Sequence, residues 1–386
     1  MIVETIRKQF VEIYNEVPSV YSSPGRINLI GEHIDYNDGF VLPASINNSI
    51  YIAVTKRKDS LIKLFSNNYN QSIELDLKDI KPIKGWGTYI LGVLYQFVSA
   101  GYPLSGVNIL ISGDIPIGAG LSSSAAIECA IAYSINDLFK FKLDRITLIN
   151  MAQKAEHEFA GVKCGIMDQF ATMMGRKDHV IKLDCKKMDY EYIPLLLQEF
   201  EIVLFDSNVK HELAFSEYNK RRSECDAGFF EIQKFFPSVT SFRDVTIDML
   251  NNSLFENKII YNRCRYVIEE NIRVIEACKD LKKNNLIEFG KKMYDTHKGL
   301  SKLYDVSCEE IDFLIDEVKD SLSVIGARMM GGGFGGCTIN LVKSEDVDNI
   351  IKSLSISYNK KTKKDLTAHK IKIIDGTSKI ISNEEF

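Results

Sequence analysis

A chain of 386 residues exceeds what one small core organises, and at roughly 100–200 residues per domain it predicts two lobes. Hydrophobic residues at 45% and charged residues at 26% exclude large-scale disorder. A formal charge of -4 excludes a charge-driven nucleic-acid or membrane partner, and no apolar run reaches membrane-spanning length.

The N-terminal residues mix acid and base without an apolar leader core, so a cytoplasmic chain is expected. The first chemically dense run covers 23–43 and packs Arg26, Glu32, His33 and Asp35 between the apolar pieces 27–30 and 40–42. Strand segments headed into a core would hold these charges on rigid supports. Two acids and a histidine on a tight turn between Gly31 and Gly39 offer donors and acceptors to several hydroxyls, as polyol recognition requires.

Residues 49–55, 61–65 and 107–111 read as strands, rich in β-branched side chains and bounded by turn formers. Residues 86–99 and 122–139 read as helices, the second apolar nearly all round and therefore buried. Between strand 107–111 and that helix lies a loop with Pro116, Gly118, Ala119, Gly120, Leu121, Ser122, Ser123 and Ser124. Strand, glycine loop and helix start form the order an anion site needs: backbone N–H groups turn inward and the helix dipole favours negative charge. An ordinary loop and N-cap satisfies the same pattern, and without a lysine this is no Walker A sequence. One serine could ligate Mg²⁺ with Glu128 one turn along the helix.

A third helix is expected after Asp144 as cap, running through Phe159. Asp168 then stands among Ile166, Met167 and Phe170, where a lone carboxylate is costly unless a cation stabilises it. Arg26 is the natural partner; the alternative is an Asp capping a helix over 169–174. Beyond a boundary placed near residue 190, 202–205 reads as a buried strand. Arg221, Arg222, Glu269, Glu270 and Arg273 then read as solvated helix faces.

Five glycines in the six positions 331–336 precede a strand over 338–342 and imply close backbone approach to a ligand or the other lobe. The lysine cluster at 360–364 reads as a solvated helix end before a strand over 371–374. The eight cysteines and six histidines are scattered, and none assembles a metal site. Cys164 reads as a small buried hydrophobe.

Three complete motifs, G-R-x-N-L-I-G-E-H-x-D-Y from Gly25, P-x-G-x-G-L-S-S-S-A from Pro116 and C-G-I-M-D-Q from Cys164, occur in this order. Together they resemble the GHMP family of small-molecule kinases, and the first points to its galactose-phosphorylating members. The resemblance implies a two-lobed α+β fold. A ribosomal-protein S5-like domain would span 1–190 and a ferredoxin-like domain 191–386, with the active site in the cleft.

It further implies ATP and Mg²⁺, a small sugar as partner, neither nucleic acid nor membrane, and a monomer. By resemblance Asp168 is the catalytic carboxylate at the anomeric hydroxyl, and Arg26 stabilises the transferred phosphoryl. Glu32, His33, Asp35, Gly165 and Tyr218 would contact the sugar. The loop from Pro116 to Ser124 would hold the ATP phosphates, Ser124 and Glu128 would lie nearest Mg²⁺, and Trp86 would lie by the adenine. Departures from the family pattern are Gly332 where alanine is frequent, Lys302 and Leu303 where acids are, and Tyr266 where histidine is.

Overall fold

The computed structural model describes residues 2–116, 118–209, 214–254 and 256–381. The first lobe opens with α1 (Ile2–Tyr14) and β1 (Ser19–Asn28), and β2 (Phe40–Val41) follows the turn between Gly31 and Gly39. β3 (Pro43–Lys56), β4 (Leu61–Ser66), β5 (Gln71–Asp76), α2 (Gly87–Ser99) and β6 (Val107–Gly113) come next. α3 (Ser123–Phe139), α4 (Arg145–Ala155), α5 (Met167–Met174), β7 (His179–Asp184) and β8 (Tyr190–Pro194) complete the lobe. The second lobe holds β9 (Phe200–Asp206), α6 (Ala214–Phe235), α7 (Ile247–Leu254), α8 (Lys258–Lys282), α9 (Leu286–Gly299), α10 (Glu309–Val318), β10 (Val324–Met329), β11 (Cys337–Lys343), α11 (Val347–Thr362) and β12 (Thr367–Ile371). β13 (Ser378–Lys379) returns to pair with β1.

The large sheet runs β13-β1-β3-β6-β4-β5, with β4 and β6 parallel and the other pairs antiparallel. Alternate residues on its strands enter two separate cores: Val20, Ala53 and Leu110 pack with Ile6 and Phe10 of α1, whereas Tyr21, Ile52 and Ile109 join the main core. A period of two places those sets on opposite faces. α3 lies against β1 and β3 on the main-core side and packs on α2 and α4; Ala125, Ala126, Cys129 and Ala130 let it approach closely. In the second lobe β10-β11-β9-β12 form an antiparallel sheet, with α9 and α10 packed on β10. The third sheet, β2-β7-β8, holds the far end of the turn between Gly31 and Gly39.

The expected α+β, two-lobed architecture is observed, with informative local differences. The helix after Asp144 ends as α-helix at Ala155 and continues as one π turn over Glu156–Ala160. α3 begins at Ser123 because Ser122 adopts a left-handed conformation, φ 55° and ψ 52°. The strand expected over 371–374 lies earlier, at Thr367–Ile371, after Lys363 closes α11 left-handed. The charges read as solvated faces divide: Glu270 and Arg221 are buried, whereas Lys360, Lys361, Lys363 and Lys364 are exposed.

Candidate active site

Arg26 leaves β1 next to a shift in its register with β3, and its N–H donates to the Leu121 carbonyl at 3.2 Å, tying the first charged motif to the glycine loop. Its guanidinium grips Asp168 side-on, Nε to Oδ1 at 2.7 Å and Nη2 to Oδ2 at 2.8 Å, and donates from Nη1 to the Gly120 carbonyl at 2.6 Å. Asp168 sits in the first turn of α5, whose N-cap position is Ile166; its carboxylate faces Arg26, so the capping alternative gives way. The Ser122 hydroxyl donates to Asp168 Oδ2. A carboxylate, a guanidinium and the helix end of the glycine loop thus meet at one point.

The second glycine cluster closes on the same loop. A Cβ on Gly331, whose φ is +82°, would lie 3.5 Å from Gly120 Cα, the close lobe-to-lobe backbone approach expected of that sequence. Beside it opens a cavity of about 130 Å³ lined by Arg26, Glu32, His33, Asp35, Asp168 and Tyr218, brought together from both lobes. Gly165 backs directly onto Asp35. Trp86 stands apart, buried before α2 with its indole N–H donating to Gln71 Oε1 at 3.3 Å.

Family models match three stretches: the galactokinase galactose-binding signature over residues 8–56, the GHMP kinases N terminal domain over 88–176 and the GHMP kinases C terminal over 277–360. A galactokinase from Thermotoga petrophila is 44% identical over 358 residues, 93% of this chain and 99% of that one. One from Clostridium acetobutylicum is 38% identical, covering 98% of this chain and 99% of that one. The Lactococcus lactis galactokinase complexed with galactose superposes with a TM-score of 0.94 at 32% identity, covering 98% of this chain and 100% of that one. This chain belongs to the galactokinase family of GHMP kinases. The Methanococcus jannaschii mevalonate kinase, with a TM-score of 0.66 at 21% identity, shares the wider GHMP fold.

Electrostatics set the protonation states of this kinase site. Burial first, and then the charges of Asp168 and Glu32, push Asp35 up to about 7. Burial pushes His33 down to about 3, so its imidazole is neutral; its Nδ1 meets the Tyr36 hydroxyl at 2.7 Å, which meets Tyr304 at 2.9 Å. Burial, and then Glu156, raise Glu128 well above the carboxylate range. Gln169 bridges the two acids from Nε2, 3.0 Å to Glu128 and 2.6 Å to Glu156.

Several residues around this GHMP kinase cavity escaped sequence reasoning. Glu156 lines it from the point where α4 passes into the π turn. Cys164, read as buried packing, is half-buried on the cavity wall with Sγ 3.4 Å from Glu156 Oε2; burial raises its thiol far out of the reactive range. Glu270 accepts the Gly31 N–H at 2.8 Å and Tyr266 donates to the Glu32 carbonyl at 2.8 Å, so α8 shapes the sugar loop. Arg328 pairs with Glu32 from β10. Glu270 had a signal in falling on the face of α8 shared by Tyr266 and Val274; Arg328 had one as a lone charge in an apolar strand.

Proposed function

We propose that this kinase transfers the γ-phosphoryl group of ATP to the anomeric C1 hydroxyl of D-galactose, giving galactose 1-phosphate and ADP. The observation that carries the proposal is the Arg26–Asp168 pair, seated where the glycine loop meets the polar cavity. In-line transfer asks mainly for alignment and charge stabilisation. Asp168 accepts the C1 hydroxyl's hydrogen and steadies charge on its oxygen as the bond to phosphorus forms. Arg26 balances charge on the phosphoryl in flight. The loop from Pro116 to Ser124, including Gly118, Ala119, Gly120, Leu121, Ser122 and Ser123, presents N–H groups and the α3 dipole to the phosphates.

Glu32, His33, Asp35, Gly165 and Tyr218 surround the sugar hydroxyls, and Trp86 lies on the adenine side. A protonated Asp35 donates where an ionised one only accepts, so both hydroxyl roles are served at neutral pH. Eight free thiols suit a reducing compartment such as the cytoplasm.

Among the described residues no group of three or more His, Cys, Asp or Glu side chains is arranged to enclose a metal by itself. The donors nevertheless fit Mg²⁺ shared with phosphate: Glu128 Oε1 is buried without a hydrogen-bond partner, Glu156 stands across Gln169, and the nearby Ser124 hydroxyl favours the ionised form of Glu156. Hard oxygens that leave room for phosphate and water are what Mg²⁺ prefers. Bound there, the ion would neutralise phosphate charge.

An ADP-release assay across galactose, N-acetylgalactosamine, glucose and arabinose tests the reading. Release is expected with galactose well above the others and to stop on chelation with EDTA. Turnover favouring N-acetylgalactosamine would move the substrate; sugar and nucleotide binding without any release would make the protein a sensor.

A further inference from the structure

Arg328 reaches the sugar loop from the opposite lobe. It lies in β10, and its side chain is 0% exposed. Nε donates to the Leu29 carbonyl at 2.8 Å, and the two terminal nitrogens donate to the carbonyls of Asn28 and Met329. These bonds lock the guanidinium plane at the end of β1. Nη1 then lies 2.7 Å from Glu32 Oε2, a side chain only 4% exposed, in an ion pair that lacks hydrogen-bond alignment. Among the described residues each is the other's sole ion-pair partner.

We propose that Arg328 is the positioning residue for Glu32, fixing its carboxylate on the sugar hydroxyls so that sugar affinity depends on a contact between lobes. Glutamate has three rotatable side-chain bonds, and an unheld carboxylate would spread over several rotamers. A guanidinium already pinned by backbone carbonyls selects one of them, which a point-charge lysine on a flexible stem does not. The carbonyl bonds alone would explain a lobe brace. The ion pair with a cavity-lining acid is what extends the role to recognition. The inference rests on the reading of Glu32 as a sugar contact.

The test is the KM for galactose and for ATP, with kcat, in the wild type, Arg328→Lys, Glu32→Gln and the double variant. Losing one charge-assisted hydrogen bond between a sugar hydroxyl and the Glu32 carboxylate corresponds to about tenfold or more in affinity. Arg328→Lys should therefore raise the galactose KM about tenfold and leave the ATP KM within about twofold. In the Glu32→Gln background the same change should add less than about twofold, because the group that Arg328 positions has already lost its charge. Parallel rises in both KM values, or fully additive penalties, would make Arg328 a brace and overturn the proposal. Should Arg328→Lys not fold, Glu32→Gln alone decides: a galactose KM within about twofold of wild type leaves nothing for Arg328 to position. Wild-type turnover on galactose is measured alongside. Its absence fells both readings, whereas an active wild type with unchanged Arg328→Lys constants overturns this one alone.

Discussion

Asp168 and Arg26, 142 positions apart in sequence, meet through two parallel hydrogen bonds of 2.7 and 2.8 Å. Side-on pairing fixes both planes and leaves neither group free to swing toward a passing ligand. Because the third arm of Arg26 holds the Gly120 carbonyl, the same guanidinium also sets the position of the glycine loop relative to the carboxylate. Acid and loop therefore move as one unit, the preorganisation that phosphoryl transfer demands.

Asp168→Asn should lower kcat by about 10²–10⁴-fold while the protein still binds galactose and ATP, since the charge is lost with little change of shape. Steady-state kinetics together with calorimetric binding of each ligand would check this. A purified variant turning over near the wild-type rate would remove Asp168 from the mechanism.

Gly165→Ala should injure sugar use selectively. A Cβ there would sit 2.0 Å from Asp35 Oδ2 and 2.3 Å from its Cγ, so the carboxyl must move out of place. Loss of its hydrogen bonds to a sugar corresponds to about a tenfold rise in galactose KM, with the ATP KM within about twofold. An unaltered galactose KM would mean that Asp35 does not touch the substrate.

The residues proposed for this chemistry were legible as candidates because three local motifs carry them, Arg26 to Asp35, Pro116 to Ser124 and Cys164 to Gln169, and the fold brings Arg26, Glu32, His33, Asp35 and Asp168 to one cavity. Periodicity found β6 and α3, and the order of strand, loop and helix then singled out the candidate phosphate loop. What stayed hidden is non-local. Arg221 carries no motif, yet it is buried under carbonyls of Tyr304 and Asp305 that arrive more than eighty positions later. Glu156 falls within the helix expected through Phe159, and nothing in a hydrophobic pattern marks that position as a cavity-lining acid at the start of a π turn. Charge alone reads as exposure; only the fold tells which charges are paired inside.

Glu270→Gln should destabilise the second lobe's hold on the sugar loop. Glu270 is 0% exposed, accepts from Gly31 N–H at 2.8 Å and from the Thr296 hydroxyl at 3.0 Å, and pairs with Arg273. Neutralising it leaves the Arg273 charge unpaired in a mostly buried place, for a cost of about 2 kcal/mol once the partial exposure of Arg273 is allowed for. The urea midpoint should fall with the slope unchanged. An unmoved midpoint would show that water serves Arg273 equally well.

The pH dependence of stability should carry the signature of Asp35, which burial, Asp168 and Glu32 hold at about 7 against an ordinary value of 3.8. Between those values the folded chain keeps a proton that the unfolded chain has released, so this group's contribution lowers stability as pH rises. Below about 3 both states are protonated and above about 8 both are ionised, so the contribution is flat outside the window. Asp35→Asn cannot ionise and escapes the loss. Relative to wild type, it should gain stability progressively from about pH 4 to pH 7 and hold a constant advantage above about pH 8, on the order of 1–2 kcal/mol because Asp35 is partly exposed. Urea midpoints of the two proteins at half-unit pH steps read this directly. A gap that narrows with rising pH would mean that Asp35 is stabilised as an anion, and the site would then lack a protonated acid at neutral pH.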